Sequence, residues 1–182
     1  AASDLRLVMS ISKGVVDLER IGDEAVKIAR MASKIAAEGK SAYGYAEVQH
    51  LSNQVRLMLN NSLEAFSQSN AEQAFEVMRN DSVVNTEYQS AIRALMTYIM
   101  EDSRHVSKVI NIMWILRSLE RIGDHAQNVA ELVINYISGQ DVRHSDYAMV
   151  EKAVQEANDR LAARQVSTLS ANELETSDSD EG

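Results

Sequence analysis

Two identical stretches carry the acids in this sequence that are best spaced to bind a ligand. The six residues LERIGD occur twice, and each copy holds two carboxylates four residues apart: Glu19 with Asp23, and Glu120 with Asp124. Four residues is about one helical turn, so each pair shares a helix face. Neighbouring carboxylates repel each other, and a cation would relieve that repulsion. Oxygen ligands hold hard cations and also serve iron and manganese, so the repeat indicates a metal site.

The same repeat has plainer interpretations. A Glu-x-x-x-Asp pair on a helix is commonly a solvated edge, and Arg117 stands three residues before Glu120, where it could pair with that acid. Each copy also contains a glycine, Gly22 or Gly123, which costs about 1 kcal/mol relative to alanine inside a helix. A glycine there indicates close approach by a neighbouring helix or by a metal centre, and both explanations stay open.

A further acid is predicted to join the second copy. Asp81 lies midway along the third predicted helix, with Asn85 one turn later. If the third and fourth helices pack antiparallel, Asp81 could face Glu120 and Asp124. The alternative is an exposed polar patch.

The histidines and the remaining motifs do not indicate an enzyme. His125 lies too far around its helix from Glu120 to join the same site, so a surface or partner contact is expected. His50 ends a Glu-x-x-His, of which di-iron carboxylate bundles use two, and this sequence has one. There is no cysteine, no phosphate loop and no glycine-rich nucleotide motif. Trp114 and the methionines are expected in the core.

The composition predicts an all-α fold of long antiparallel helices. The 182 residues include no proline and only 7 glycines, and they are rich in strong helix formers. Short connections between helices favour antiparallel neighbours in a bundle. The predicted helices cover 4–37, 45–68, 71–101 and 105–137, with a weaker one over 146–165.

The repeat extends beyond LERIGD. Val8–Ala29 aligns with Val109–Ala130, so the first and fourth helices are homologous, which suggests a duplicated bundle whose first copy is incomplete. In the first helix, apolar and small residues at three-and-four spacing predict a buried stripe. That stripe comprises Val8, Ile11, Val15, Leu18, Gly22, Ala25 and Ala29. Because its first-bundle partners are missing, we expect it to pack on the second bundle, on another copy or on residues beyond this sequence.

Charge gives little indication of nucleic acid or lipid as a partner. The net charge is −9, and residues 168–182 supply five of those charges and hold no basic residue, so this tail is predicted to be disordered. The rest is mildly acidic, and we identify no basic stripe along it. No run approaches the roughly 20 apolar residues that span a bilayer, so no direct membrane insertion is expected.

Around SLERIGDHAQNVAELV the sequence resembles the PhoU family, the accessory regulators of phosphate uptake. The resemblance continues through ASDLRLVMSISKGVVDLERIGDEAVKIARMA, RLMLNNSLEAF, AIRALMTYIMEDSR and YISGQDVRH. It implies a fold of two similar three-helix bundles. Residues 1–40 would then be the last helix of the first bundle and 45–140 the complete second bundle. Residues 141–182 would hold a short helix and the acidic tail.

The resemblance also implies a function. Members are not enzymes; they link the ATPase of the phosphate ABC transporter to a sensor histidine kinase and repress the starvation response when phosphate is plentiful. They act at the cytoplasmic membrane face, and we expect a homo-oligomer such as a homodimer. The alternative is a metal-free PhoU-like interaction domain attached to, or docking on, a membrane transport protein. Its acids would then bind a basic partner.

The resemblance carries a set of metal ligands onto this sequence, for divalent or iron-type ions. Asn85 stands where an aspartate is usual in the family, which removes one charged ligand from the second site. The implied ligands are Glu19 and Asp23 in the first copy, and Glu120 and Asp124 in the second with Asp81 and Asn85.

Overall fold

Helices make up almost all of the protein in a computed structural model, which describes residues 2–39, 43–142 and 145–177. The helices are α1 (Ala2–Ala37), α2 (Tyr45–Gln68), α3 (Ala71–Glu101), α4 (Val106–Ser138) and α5 (Tyr147–Ser177), and a short 3-10 turn (Ser103–His105) precedes α4. The described ranges contain no β-strand. The all-α prediction is confirmed, and the boundaries of the first four helices lie within two residues of the predicted ones.

Local signals in the sequence set the helix ends. The Asn70 side chain accepts a hydrogen bond from the backbone N–H of Gln73, which caps the start of α3. Gly139 ends α4 in the left-handed conformation with φ 75°. Gly44 precedes α2 with φ 81°, and a Cβ there would lie 2.8 Å from the Ile112 side chain. Only glycine fits this junction, where the α2 start lies against α4.

Helices α2, α3 and α4 each pack on the other two and enclose the main core. The buried residues of α2 and α3 recur at helical spacing and face this core. Its largest fully buried apolar side chains are Leu51 and Val55 from α2, Val77 and Leu95 from α3, and Val109, Leu116 and Ile134 from α4.

Helix α1 packs along α4 alone, and the buried stripe predicted for it is wrong. Val8 and Val15 are 62% and 58% exposed, and the other stripe positions are exposed as well. The face of α1 that contacts α4 is narrower than the predicted stripe and includes polar residues. Its apolar periodicity in the sequence is therefore weaker than that of the stripe. This line is formed by Ser10, Gly14, Asp17, Ile21, Glu24, Ile28, Met31 and Ile35.

Two other expectations are wrong. Trp114 and the methionines were expected in the core, but Trp114 is 59% exposed on α4. Of the methionines, Met58 and Met78 are buried, whereas several others are exposed: Met9, Met96, Met100 and Met149. Helix α5 packs on α3 and α4 and continues as helix through Ser177, into the segment expected to be disordered; residues 168–177 contain no glycine or proline. Residues 178–182 of the predicted tail lie outside the described residues. No described helix is long and apolar enough to cross a membrane.

Candidate functional site: an acidic cluster between α3 and α4

Helix α3 contributes a half-buried carboxyl to the site. Asn85 donates a hydrogen bond from Nδ2 to Asp81 Oδ2 at 2.8 Å, one turn apart on the same face. Burial, followed by the negative charges of Asp124 and Glu131, raises the pKa of Asp81 from 3.8 to about 6. Asp81 therefore lies close enough to α4 for its acids to disfavour its ionised form.

Helix α4 contributes the two acids of the second LERIGD copy. Glu120 is only 9% exposed, and its Oε1 accepts a hydrogen bond from the Arg117 guanidinium at 2.9 Å. Its Oε2 is buried and has no hydrogen-bond partner among the described residues. Burial and then the charge of Asp124 raise the pKa of Glu120, although Arg117 opposes this. Partial desolvation also raises the pKa of Asp124.

The structure therefore brings together four predicted site residues, Asp81, Asn85, Glu120 and Asp124, from two helices. The predicted pairing of Arg117 with Glu120 is present too. Sequence reasoning missed Glu131, whose charge acts on Asp81 and whose Oε1 accepts a hydrogen bond from Gln127 at 3.1 Å. The sequence feature that could have identified Glu131 is its position seven residues after Asp124, which places it on the same helix face.

The first LERIGD copy is in a different environment. Glu19 and Asp23 are exposed on α1, and the nearest cation to Asp23 is Arg20 at 3.7 Å. No other described helix lies over this face, because α1 contacts α4 alone. The structure thus separates these two residues from the cluster between α3 and α4.

The glycines of the two LERIGD copies, Gly22 and Gly123, also lie in different environments. A Cβ on Gly123 would lie 3.3 Å from the Val84 side chain of α3, so this glycine permits close helix packing. A Cβ on Gly22 would meet nothing within 4 Å. Of the two explanations for the repeated glycine, a neighbouring helix accounts for Gly123.

The α1–α4 contact is an antiparallel seam between the two copies of the repeat. His125 Nδ1 lies 2.8 Å from Asp17 Oδ1, and Asn128 donates to the same oxygen at 3.0 Å. Burial opposes ionisation of Glu24, but hydrogen bonds from Lys27, Ser118 and Arg121 hold its pKa below the usual value. In the alignment of the two copies, Asp17 corresponds to Ser118 and Glu24 corresponds to His125. The contact of Asp17 with His125 and that of Glu24 with Ser118 are therefore equivalent contacts of the repeat.

The seam gives His125 a partner within the chain, on α1. The two residues of the Glu-x-x-His of α2, Glu47 and His50, have different partners on α3. His50 Nε2 lies 3.0 Å from Glu87 Oε1, and the Tyr98 hydroxyl donates a hydrogen bond to Glu47 at 3.3 Å. These side chains therefore do not converge as di-iron ligands do.

The acidic cluster fits a cation in its chemistry, although its side chains are not arranged as a closed site. Among the described residues, no group of three or more histidine, aspartate and glutamate side chains has metal-binding geometry. Nevertheless, three carboxyls with raised pKa values share this position, and one buried oxygen has no donor. A cation would relieve both the repulsion and the missing contact. Asp81, Glu120 and Asp124 would hold it, and Asn85 could add an amide oxygen.

Comparison with known proteins identifies the family. The sequence profile described as "PhoU domain" matches residues 48–133. The crystal structure of PhoU from Pseudomonas aeruginosa matches with a TM-score of 0.76 and 56% identity, over 77% of this chain and 67% of that one. The chain belongs to the PhoU family. A second PhoU structure, the phosphate transport system regulatory protein from Streptococcus pneumoniae, matches with a TM-score of 0.70 at 26% identity, over 77% of this chain and 66% of that one.

Curated PhoU proteins are also similar. The P. aeruginosa "phosphate-specific transport system accessory protein PhoU homolog" is 54% identical over 155 residues, covering 85% of this chain and 64% of the relative. The Escherichia coli K12 "phosphate-specific transport system accessory protein PhoU" is 43% identical over 79% of this chain and 59% of its own length. This chain therefore spans about three-fifths of the curated relatives it matches.

Proposed function

We propose that the protein is a PhoU-type accessory regulator of phosphate transport that acts through protein contacts and catalyses no reaction. The names of its relatives support the link to phosphate transport. Its partners would be the ATPase subunit of the phosphate ABC transporter and a sensor histidine kinase, contacted at the cytoplasmic face of the membrane. Its output would be repression of phosphate uptake and of the starvation response.

The acidic cluster supplies a regulatory or structural metal site in this proposal. The observation that carries it is the buried Glu120 Oε2, which lacks a donor beside two further acids with raised pKa values. A bound divalent or iron-type cation would favour the ionised form of all three carboxyls and connect α3 to α4. Metal occupancy would then set how firmly these helices are held together at the surface that partners contact.

Elemental analysis of protein purified without chelator tests the metal site. The wild type is expected to retain iron, manganese, zinc or nickel, and the double variant Glu120→Ala/Asp124→Ala to lose it. The matched control is Glu19→Ala/Asp23→Ala, which alters the same motif on the exposed face of α1. Absence of metal from the wild type, or equal metal content in the E120A/D124A variant, would refute the site.

The regulatory role is tested by capture from membranes prepared at high and low phosphate. Immunoblotting for the transporter ATPase and the sensor kinase is expected to show both with the tagged protein, in amounts that change with phosphate. Recovery of neither would refute the proposed role.

A metal-free interaction domain is the second candidate, and a specific observation favours it. Arg117 already bonds Glu120, and Asn85 already bonds Asp81, so part of the cluster is satisfied without a cation. In this case the purified protein carries no metal, while capture of the membrane partners still succeeds and weakens when Glu120 or Asp124 is replaced. The two experiments together separate the candidates.

A further inference from the structure

The basic residues of α1 form a line that the sequence analysis did not identify. Five of them recur at intervals of seven residues, and all five are exposed. With Arg121 of α4 they make a surface that we call the basic face. The basic face comprises Arg6, Lys13, Arg20, Lys27 and Lys34 of α1 and Arg121 of α4.

Helix geometry keeps this line straight and separate from the apolar stripe. Seven residues make nearly two turns, so successive members drift by only about 20° around the helix. At about 1.5 Å per residue the line extends for roughly 42 Å, on the side of α1 roughly opposite Val8, Val15 and Leu18 of the apolar stripe. Arg121 joins it across the seam, because Lys27 Nζ and Arg121 NH1 reach the same oxygen of Glu24 at 2.7 and 3.4 Å.

Three of the six cations on this face form no ion pair among the described residues, although Arg6 and Lys13 line a pocket that also contains Asp17, Glu131 and Asp141. In the part of the chain that the structure describes, Arg6, Lys13 and Lys34 form no ion pair within 4 Å. One carboxylate, Glu24, serves two cations, and Arg20 lies 3.7 Å from Asp23. This concentration occurs in a chain whose net charge is −9.

We propose that the basic face is the docking site for an acidic α-helix of a protein partner, whose carboxylates recur at about seven-residue intervals. The proposal deepens the regulatory role and rests on it, because it names the chemistry of one contact. Trp114 supports a protein partner: it is 59% exposed on α4, one heptad before Arg121, and tryptophan and arginine are enriched in interfaces. Its position beside the face provides a hydrophobic anchor.

The overall charge argues against an anionic membrane as the occupant. A lipid surface extends under the whole molecule, and charges interact over a Debye length of about 8 Å at physiological salt. The exposed carboxylates Glu19 and Asp23 and the net charge of −9 would oppose such an approach. A single helix about 10 Å wide covers a smaller area than a lipid surface, so it meets the basic face with fewer of the molecule's acids, although Asp23 and Glu24 lie within that face.

The test uses the full chain and two synthetic helical peptides of about four heptads. One peptide carries two glutamates per heptad on one face, and the other carries glutamine at those positions. Binding is followed by peptide anisotropy and by the fluorescence of Trp114, the only tryptophan. The test variant is Lys13→Glu/Lys34→Glu, which disturbs no ion pair of the described residues. The matched control is Arg56→Glu/Lys152→Glu, which makes the same change in net charge at exposed positions on α2 and α5.

We expect the glutamate peptide to bind the wild type at least about tenfold more tightly than the glutamine peptide, and more weakly as salt rises. The Lys13→Glu/Lys34→Glu variant should lose about tenfold in affinity, and the control variant less than about twofold. Equal binding of the two peptides, or equal losses in both variants, would overturn the proposal. So would binding to vesicles of phosphatidylglycerol and phosphatidylcholine that Lys13→Glu/Lys34→Glu abolishes, because the occupant would then be a membrane.

The metal content of the Lys13→Glu/Lys34→Glu variant should match the wild type. If the wild type failed to bind the glutamate peptide but kept its metal and its membrane partners, this surface alone would be refuted. If the wild type bound the peptide but recovered no membrane partners, the regulatory role would be refuted.

Discussion

Replacing Asp81 with asparagine is expected to stabilise the metal-free protein at about pH 8 and to change little at about pH 4. The folded protein raises the pKa of Asp81 from 3.8 to about 6. The folded state therefore holds this proton more tightly than the unfolded state does. The stability that Asp81 contributes is full below 3.8 and is lost as pH rises through about 6.

The size of the stabilisation by Asp81→Asn follows from the pKa shift of Asp81. Each pKa unit is worth about 1.36 kcal/mol, so a shift of roughly two units sets an upper limit near 3 kcal/mol above pH 6. Asp81 is only partly buried, and solvent screening reduces this to about 1–2 kcal/mol. The asparagine carbonyl can still accept the hydrogen bond that Asn85 donates, so the substitution removes the charge with little change in packing.

Urea denaturation with chelator present, followed by circular dichroism across this pH range, measures the effect. Asp159→Asn is the matched control: it also removes one aspartate charge, from an exposed site on α5 where Gln155 is its hydrogen-bond donor. The difference between Asp81→Asn and wild type should grow as pH rises from about 4 to about 7, and the control should show no such trend. A variant that is no more stable than wild type at pH 8 would refute the placement of Asp81 beside the acids of α4.

Two further predictions concern the remaining features of the repeat. Gly22→Ala should raise the free energy of unfolding by up to about 1 kcal/mol in urea titrations, because its Cβ meets nothing within 4 Å. Gly123→Ala should be less stable than Gly22→Ala by at least about 1 kcal/mol, because its Cβ would press on the buried Val84; equal stability of the two variants would contradict the packing described here. Val15→Ser/Leu18→Ser should reduce self-association in light scattering and leave the urea midpoint nearly unchanged, because both side chains are exposed apolar groups on α1. A wild type that is monomeric at all concentrations would show that this stripe does not associate.

Helix positions were predictable from the sequence because their signals are local. Asn70 as a cap, Gly139 as a terminator and the regular stripes of α2 and α3 each act within a few residues. The acidic cluster between α3 and α4 was also predictable from the sequence. Once the helix boundaries are known, antiparallel packing of α3 and α4 places Asp81 near Glu120 and Asp124. Glu131 was missed because it lies outside the repeated motif, so only its position seven residues after Asp124 marked it.

The contact face of α1 could not be predicted, because periodicity reports which side of a helix is apolar and not which neighbour is present. Equivalent residues in the two copies of the repeat show this difference. Leu18 and Leu119 are equivalent, yet Leu119 is 7% exposed in the α2–α3–α4 core and Leu18 is 45% exposed. Helix α1 instead meets α4 through a mixed line in which Asp17 and Glu24 are paired across the seam.

The same asymmetry explains why one motif gives two different sites. Burial raises the pKa of Glu120 and of Asp124, and at Glu120 the charges of Asp124 and of Asp81 on α3 add to this effect. Among the described residues, Glu19 and Asp23 are exposed on α1, so water screens their repulsion, and their role as metal ligands stays a prediction. The LERIGD sequence therefore provides the ligands, and the helix that packs over them determines whether those ligands form a site.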